Sequence, residues 1–419
     1  LARNTGWVLL GQGARLGVQA VYFIVIARLL GPKEYGGFGA VLAIASVLQP
    51  FSSLGFGYLM IRRVARDPSS VSFAWGNAIV VTVASGVGLG LLFFTLGAAL
   101  LPPGVPRAMI AMIAAADILL YPLLTLCAQT FQAIESLRVT AAIYLLPSVT
   151  RMGCAALLAV TNPHATALHW AQWYLVATAL GTAAAMAVST IGLGRPRFYW
   201  KALRSEGRDG VVFALGMASQ TVYNDADKAM LARLSTPFAA GIYIAAYRII
   251  DVACAPILSL QMAALPRMFK HGAAGIDETI VRSRSLLSRS LVYGVSIAAV
   301  LWIAAPTLPF VLGHRYSETA IALRWLSVIV VFRSVHYLFA NILTGAGYQS
   351  LRTWVQTSIG ALNFLANLIV IPVYSWRGAA ATSMGSDALM MLSLSVAVGA
   401  IRYREVMRVP CRTSAEVQS

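Results

Sequence analysis

Long apolar runs follow one another along almost the whole chain, and this feature most constrains its fold. Each run is long enough to cross about 30 Å of hydrocarbon as a helix. Only 11% of the 419 residues are charged, whereas soluble domains carry about 25%. The pattern predicts an all-α polytopic membrane protein with about twelve transmembrane helices, at 6–30, 36–61, 72–101, 107–133, 139–161, 166–193, 209–233, 238–265, 285–311, 319–344, 352–373 and 378–401.

Basic residues are distributed unequally between the two alternating sets of loops. One set, which includes Arg62, Arg138 and Arg195, carries about three times as many basic residues as the set that includes Arg107 and Arg315. By the positive-inside rule, the richer set and both termini are expected in the cytoplasm. The loops also account for the net charge of +17, so no nucleic-acid partner is expected.

The loops between the spans are too short to fold as catalytic domains. The sequence contains no P-loop, no Ser-His-Asp set and no histidine or cysteine pair at metal-ligand spacing. The four cysteines are expected to be small core residues. We therefore expect a protein that is not an enzyme and has no metal or organic cofactor, apart from a coupling ion, H⁺ or Na⁺.

Two sequence motifs recur in the second half of the chain. The first motif contains Ala27-Arg28-Leu29, Pro32 and Gly36, and it returns in the second half as Ala232-Arg233-Leu234, Pro237 and Gly241. Ser136-Leu137-Arg138 likewise returns as Ser350-Leu351-Arg352. Pro50 and Pro256 also correspond. Parallel repeats of this kind are related by an axis along the membrane normal, and transporters built from them bind substrate near the midplane.

The duplication predicts four segments. Residues 1–198 form an N-terminal six-helix bundle and residues 209–402 form a C-terminal six-helix bundle. A cytoplasmic linker at 199–208 joins them, and residues 403–419 form a cytoplasmic tail. A pseudo-two-fold axis is expected between the bundles.

Polar and cationic side chains recur inside the apolar spans. A charge near the centre of a span costs about 2.5–3.5 kcal/mol on insertion scales, so it normally faces a wet cavity or a partner. In span 1 the spacings of three, four and three put four such residues on one helical face. We predict a cationic substrate-binding cavity formed by Arg15, Arg151 and Arg333 with Gln12, Gln19 and Tyr22.

An alternative keeps these arginines out of substrate binding. Arg15 and Arg151 could instead pair with Asp117 in span 4, or with backbone carbonyls, and so hold helices together. Guanidinium groups serve both purposes, because they bind phosphate and carboxylate oxygens with the same forked geometry. The sequence alone leaves both interpretations open.

Acids and bases are denser in spans 7, 8 and 10. These residues could relay a proton or bind Na⁺, or they could form an ion-pair network that only joins helices. Asp387 in span 12 could either hydrogen-bond to a neighbouring helix or contact a substrate. The group predicted to serve in coupling or in an ion-pair network consists of Asp225, Asp227, Lys228, Arg248, Asp251 and His336.

Several stretches of the sequence resemble one family of membrane transporters. The stretch ARLLGPKEYGGFGAVLAIASVLQPFSSLGFGYLMIRRVA (27–65) is similar to the signature of Wzx-type polysaccharide flippases, and YNDADKAMLARL (223–234) and VLGHRYSETAIALRWLS (311–327) are similar to the lipopolysaccharide and teichuronic-acid exporter branch. These flippases belong to the multidrug/oligosaccharidyl-lipid/polysaccharide exporter superfamily. Many relatives carry two further C-terminal helices that twelve spans do not provide.

The resemblance implies a flippase that works by alternating access in the bacterial cytoplasmic (inner) membrane. Its cargo would be an undecaprenyl-pyrophosphate-linked oligosaccharide for a surface polysaccharide such as the lipopolysaccharide O-antigen. The implied partners are this lipid-linked oligosaccharide and membrane lipids, with polysaccharide polymerase and assembly proteins as further candidates. Two alternatives stay open: a cation-coupled extruder of drugs or metabolites from the same superfamily, and a non-transporting scaffold of a polysaccharide assembly complex.

Overall fold

The computed structural model describes the backbone of residues 2–272 and 275–408. Side chains are described from residue 13 onward, apart from those at 200–209, 212, 213, 216, 219, 220, 266, 267, 271, 272 and 406–408. Within these ranges the chain is almost entirely helical and contains no strand. The predicted all-α class is therefore confirmed.

Thirteen α-helices follow one another in the described chain. A π-helical segment, Ala114–Leu120, joins the fourth helix to the fifth, and short 3₁₀ turns lie at Pro68–Ser70, Ala305–Thr307 and His314–Tyr316. The helices are α1 (Ala2–Ser52), α2 (Phe56–Arg66), α3 (Val71–Leu100), α4 (Arg107–Ile113), α5 (Tyr121–Ala133), α6 (Leu137–Thr161), α7 (Ala167–Leu193), α8 (Trp200–Leu234), α9 (Pro237–Gly272), α10 (Ile276–Ala304), α11 (Leu308–Leu312), α12 (Ser317–Gly345) and α13 (Gln349–Arg408).

Nine helical stretches of the described chain are long and apolar enough to cross a membrane. Two of them exceed the length of one span and contain a break. The stretch Gly13–Arg66 has a non-helical residue at Gly31, and Gln349–Glu405 has one at Ser375. Each of these stretches is more than twice as long as the roughly 20 residues that one crossing needs. The count of about twelve spans stays a prediction, since α8 is not among the nine.

The helices break at the same position of the two sequence repeats. In the first half the α-helical conformation is interrupted at Gly31, directly before Pro32. In the second half α8 ends at Leu234 and α9 begins at Pro237, which corresponds to Pro32. Proline suits the first turn of a helix because it has no N–H to leave unpaired there. The structure thus supports the duplication read from the sequence.

A second repeated feature is the turn that follows α5 and α12. After α5 the Ser136 N–H donates to the Phe131 carbonyl at 2.9 Å, and after α12 the Tyr348 N–H donates to the Leu343 carbonyl at 2.8 Å. Both turns contain a residue with positive φ, Glu135 in the first and Gly347 in the second. This pattern is a Schellman cap, which satisfies the last carbonyls of a helix. Relative to the recurring Ser-Leu-Arg motif the two turns differ by two residues, since Ser136 is the first residue of the motif and Tyr348 lies two residues before Ser350.

The chain divides into two compact units. Unit 1 runs up to Ile244 and includes Phe310–Tyr316, and unit 2 contains Ala245–Pro309 and the chain from Ser317 onward. In unit 1, α1 packs against α6 and α8, and a second packing region joins α2, α3, α5 and α7. The core of that region includes Trp75, Leu124 and Phe131.

In unit 2 the central helix is α12, which packs against α10 and α13. It is buried along most of its length, with Leu326, Ile329 and Leu338 fully inside. The same helix also buries Arg333 and His336. Burying ionisable groups in a membrane helix is costly without partners, so the surroundings of these two residues are of functional interest.

Candidate functional site

The predicted cationic face of span 1 lies on α1, next to α6. Arg15, Gln19 and Tyr22 are partly buried, and α1 packs against α6. The side chain of Gln12 lies outside the described residues. The positions of Arg15 and Tyr22 are separated by about 10 Å along a helix axis. The face therefore presents polar groups at two depths.

Arg15 lies nearer to the start of α1 than Tyr22 does. It lies about 20 Å along the helix axis from the start of α1 at Ala2, and close enough to Tyr144 of α6 to interact electrostatically. Among the described residues no carboxylate is within ion-pairing distance of its guanidinium. Its Nε is buried and has no hydrogen-bond partner there.

Arg151 of α6 is paired. Its Nη2 lies 3.2 Å from Oδ1 of Asp117 and 3.3 Å from Oγ1 of Thr178. The guanidinium carbon lies over the ring of Tyr174 at 4.0 Å, and the ring of Tyr121 lies at 5.5 Å. The pairing of Arg151 with Asp117, one of the two interpretations that the sequence left open, is therefore present in this structure.

The carboxylate of Asp117 is held by Tyr174 as well. The Tyr174 hydroxyl lies 2.9 Å from Oδ1 and 3.0 Å from Oδ2 of Asp117. Asp117 belongs to the π-helical segment Ala114–Leu120, and π-helical turns occur frequently at functional sites. Tyr174 was not among the predicted site residues. The spacing of four residues between Trp170, Tyr174 and Thr178 puts all three on one face of α7, and this pattern can be read from the sequence.

The acidic group of span 7 lies on α8 in unit 1. Nζ of Lys228 donates to Oδ1 of Asp225 and, at 2.7 Å, to the Asn224 carbonyl. Asp227 accepts at 2.5 Å from the hydroxyl of Tyr243. The structure thus brings together Asp225, Asp227 and Lys228, as the sequence predicts, and Tyr243 of α9 joins them.

In unit 2 the charged residues form a second cluster around Arg333. Nη1 of Arg333 lies 3.4 Å from Oδ1 of Asp251, and its Nε lies 3.4 Å from Oδ2 of Asp387. Oδ1 of Asp387 lies 3.1 Å from Nε2 of His336. The ring of Tyr247 lies 5.5 Å from the guanidinium carbon. The side chains of Asp387 and His336 are almost completely buried, at 2% exposed each. The side chain of Asp251 is 48% exposed.

This cluster combines residues that the sequence assigned to different roles. Arg333 was expected in substrate binding, whereas Asp251 and His336 were expected in coupling. Asp387, which bonds both Arg333 and His336, was not among the predicted site residues. Arg248 is exposed on α9, and its assigned role stays a prediction. Among the described residues no group of three or more His, Cys, Asp or Glu could hold a metal ion.

Comparison with known proteins identifies the family and the fold. A sequence model described as polysaccharide biosynthesis protein matches residues 1–271. The lipid II flippase MurJ in its inward closed conformation superposes with a TM-score of 0.77 at 11% identity, covering 95% of this chain and 88% of that chain. No curated protein sequence matches the chain.

Two further solved structures share the fold. An inward-facing multidrug resistance MATE family transporter of the MOP superfamily superposes with a TM-score of 0.73 at 13% identity, covering 93% of this chain and 98% of that chain. A MOP superfamily transporter from Pyrococcus furiosus gives a TM-score of 0.61 at 12% identity, covering 95% and 96%. The family match spans well over half of the chain, and the chain therefore belongs to the polysaccharide biosynthesis protein family, with the fold of the MOP superfamily transporters.

Proposed function

We propose that this protein is a flippase that moves undecaprenyl-pyrophosphate-linked oligosaccharides across the bacterial cytoplasmic membrane by alternating access. In this proposal both termini are cytoplasmic, and the product serves surface polysaccharide assembly. The family and the fold support a membrane flippase or transporter. The choice of an anionic, lipid-linked cargo depends on the arginines of unit 1.

The observation that carries the proposal is that Arg15 has no acidic partner among the described residues. Arg15 lies several turns from the start of α1, its Nε is buried without an acceptor among the described residues, and no carboxylate of the described chain pairs with it. A buried donor without an acceptor is uncommon in native structures, because it loses the hydrogen bonds of water without replacement. An anion supplied by the substrate would satisfy Arg15, and a pyrophosphate offers several oxygens for the purpose.

The chemistry of the neighbouring groups agrees with such a ligand. Arginine stays charged at any working pH and binds phosphate oxygens through two parallel N–H bonds. Arg15, Arg151 and Asp117 together carry one surplus positive charge, and the polar side chains of Gln19 and Tyr22 lie on the same face of α1. We assign these residues to the headgroup of the cargo, with Arg15 in direct contact with phosphate.

Coupling is assigned to the acidic clusters. The cluster of Asp251, Arg333, His336 and Asp387 brings two carboxylates, one guanidinium and one imidazole together. We propose that the coupling ion, H⁺ or Na⁺, acts there or at the group of Asp225, Asp227 and Lys228. Arg333 is thereby moved from substrate binding to coupling, because both of its carboxylate neighbours already occupy it.

The test is a binding measurement with a short isoprenyl pyrophosphate. Farnesyl pyrophosphate is titrated into the purified full chain in detergent, and the dissociation constant is compared between wild type, Arg15→Gln and Arg107→Gln. Arg107 is an exposed arginine at the start of α4 and serves as the matched control. We expect R15Q to weaken binding about tenfold or more, as the loss of a charge-assisted bond implies, and R107Q to leave it unchanged. Equal affinities in all three proteins would contradict the proposal.

A second candidate function is a cation-coupled extruder of drugs or metabolites. The observation in its favour is Asp251, a carboxylate on a membrane helix that keeps about half of its side-chain surface exposed. An accessible acid of this kind suits a cationic compound. Resistance to cationic compounds that depends on Asp251 and not on Arg15 would favour this function over the flippase.

A further inference from the structure

The contact between Arg151 and Asp117 has features of a temporary pairing. Among the carboxylates of the described chain, Arg151 reaches only that of Asp117, through Nη2 at 3.2 Å, whereas a strong pair of these groups uses two parallel bonds. Among the described residues the buried Nε of Arg151 has no hydrogen-bond partner. The guanidinium is thus positioned by the ring of Tyr174 at 4.0 Å, but its donors are only partly used.

Asp117 lies on the segment of its span that departs from α-helical geometry. The π-helical turn Ala114–Leu120 contains it, and Pro122 lies at the start of the helix that follows. Proline provides no N–H for the helix, and the nearby Leu120 carbonyl accepts from the hydroxyl of Thr182 at 3.1 Å. Changing a helix register by one residue rotates a side chain by about 100°. A return of this turn to α-helical register would therefore change the direction of the Asp117 side chain.

We propose that Asp117 is an internal competitor for the anion-binding surface of Arg151. In the unloaded protein its carboxylate occupies Arg151, and a phosphate oxygen of the substrate displaces it on binding. Arg151 then becomes a second phosphate contact in unit 1, in addition to Arg15. This inference rests on the proposed function, since it presumes an anionic headgroup at Arg15.

Competition between Asp117 and the substrate phosphate for Arg151 would serve both the empty and the loaded carrier, whereas a pair that only joins helices would not. A guanidinium inside a membrane without a counter-charge is costly, and Asp117 lowers this cost for Arg151 in the empty carrier. A pair that is too strong would keep the substrate out. One bond to Arg151, with the Tyr174 hydroxyl holding both oxygens of the carboxylate, meets both requirements. Asp117 and Tyr174 are positioning residues in this scheme and Arg151 is the binding residue.

The experiment compares dissociation constants of farnesyl pyrophosphate for the full chain carrying Asp117→Asn, Arg151→Gln or both. Competition predicts that D117N tightens binding about three- to tenfold, since 1.4 kcal/mol corresponds to a factor of ten. It predicts that R151Q weakens binding, and that the double variant shows none of the gain. Inorganic pyrophosphate is titrated in parallel: a gain for both ligands locates the effect at the phosphates, and a gain for farnesyl pyrophosphate alone shows that the lipid is needed for displacement.

A purely structural pair gives the opposite result, because D117N would then lower or leave unchanged the affinity of a protein that has lost a helix contact. A lower or an unchanged affinity in a folded D117N protein overturns the inference. If D117N does not fold, Tyr174→Phe provides the test: it removes the hydroxyl that holds Asp117 and keeps the ring under Arg151. Y174F must then shift the affinity for farnesyl pyrophosphate at least about twofold, and an unchanged affinity overturns the inference. Wild-type binding that is insensitive to R15Q would instead contradict the proposed function itself.

Discussion

Gly36 and Gly241, which occupy equivalent positions in the two sequence repeats, pack against each other's turns in a reciprocal manner. A Cβ atom on Gly36 would lie 1.8 Å from the Pro237 carbonyl oxygen, and a Cβ atom on Gly241 would lie 1.9 Å from the Pro32 carbonyl oxygen. Because Gly36 corresponds to Gly241 and Pro32 to Pro237, the contact is self-complementary in the way of a two-fold interface.

Replacing either glycine with alanine should destabilise the protein. The added methyl group would overlap a backbone oxygen that cannot move aside without shifting a helix, and overpacking of this kind costs about 1–3 kcal/mol or more. We expect Gly36→Ala and Gly241→Ala each to lower the melting temperature of the protein in detergent, as followed by circular dichroism. Gly37→Ala is the control, since a Cβ atom there meets nothing within 4 Å. A G36A protein as stable as G37A would show that the two turns do not pack closely.

The buried pair of Arg333 and Asp387 should contribute more to stability than a surface pair does. We expect Asp387→Asn to reduce the free energy of unfolding by about 2–4 kcal/mol, because it leaves a buried guanidinium with less counter-charge. The matched control is Asp277→Asn, which removes the half-exposed pair of Asp277 with Arg402 and should cost less than about 1 kcal/mol. Unfolding by sodium dodecyl sulfate in mixed micelles gives both values. Equal losses would mean that water reaches Asp387 freely.

Asn77 should hold the segment that leads into α8. Its amide makes two reciprocal bonds with the backbone of Tyr199, accepting at 2.8 Å and donating at 3.0 Å, and the Arg197 N–H donates to the Ser72 carbonyl at 3.0 Å. Each bond contributes about 1 kcal/mol. Asn77→Ala is therefore expected to increase tryptic cleavage after Arg197 about tenfold, because local opening becomes more frequent.

The control for this experiment is Val80→Ala, which changes an exposed side chain on the same helix. It should leave the cleavage rate at its wild-type value. If N77A is cleaved no faster than V80A, the Asn77 amide does not anchor the segment.

Much of the fold follows from the sequence because membrane helices are specified by local properties. Apolar length predicts the spans, and the recurrence of Pro32 as Pro237 predicts where both halves interrupt the helix. The predicted spans 352–373 and 378–401 also put a break in α13, and the structure has it at Ser375, whose φ is 55°. That conformation was not predictable, because serine rarely adopts a positive φ by local preference. The π-helical turn at Ala114–Leu120 likewise has no signal in the apolar pattern.

The composition of the site is only partly predictable for a related reason. Helical spacing puts Arg15, Gln19 and Tyr22 on one face, since that depends on one helix. Which acid meets which base depends on the rotation and depth of two helices, and single-residue shifts change it. From the sequence, Asp117 could pair with Arg15 or with Arg151, and in the structure it pairs with Arg151. It also grouped Asp251 with the acids of span 7, and the structure pairs it with Arg333.

The most direct test of the central claim is a flipping assay in proteoliposomes. A fluorescent undecaprenyl-pyrophosphate-linked oligosaccharide is incorporated in both leaflets, and the fraction that an added membrane-impermeant sugar-binding reagent can reach is followed over time. A flippase that uses Arg15 for the pyrophosphate should make nearly all of the lipid accessible with wild-type and Arg107→Gln protein, and only the outer-leaflet half with Arg15→Gln. Accessibility that stays at half with wild-type protein, under an imposed pH or Na⁺ gradient as well as without one, would contradict the account.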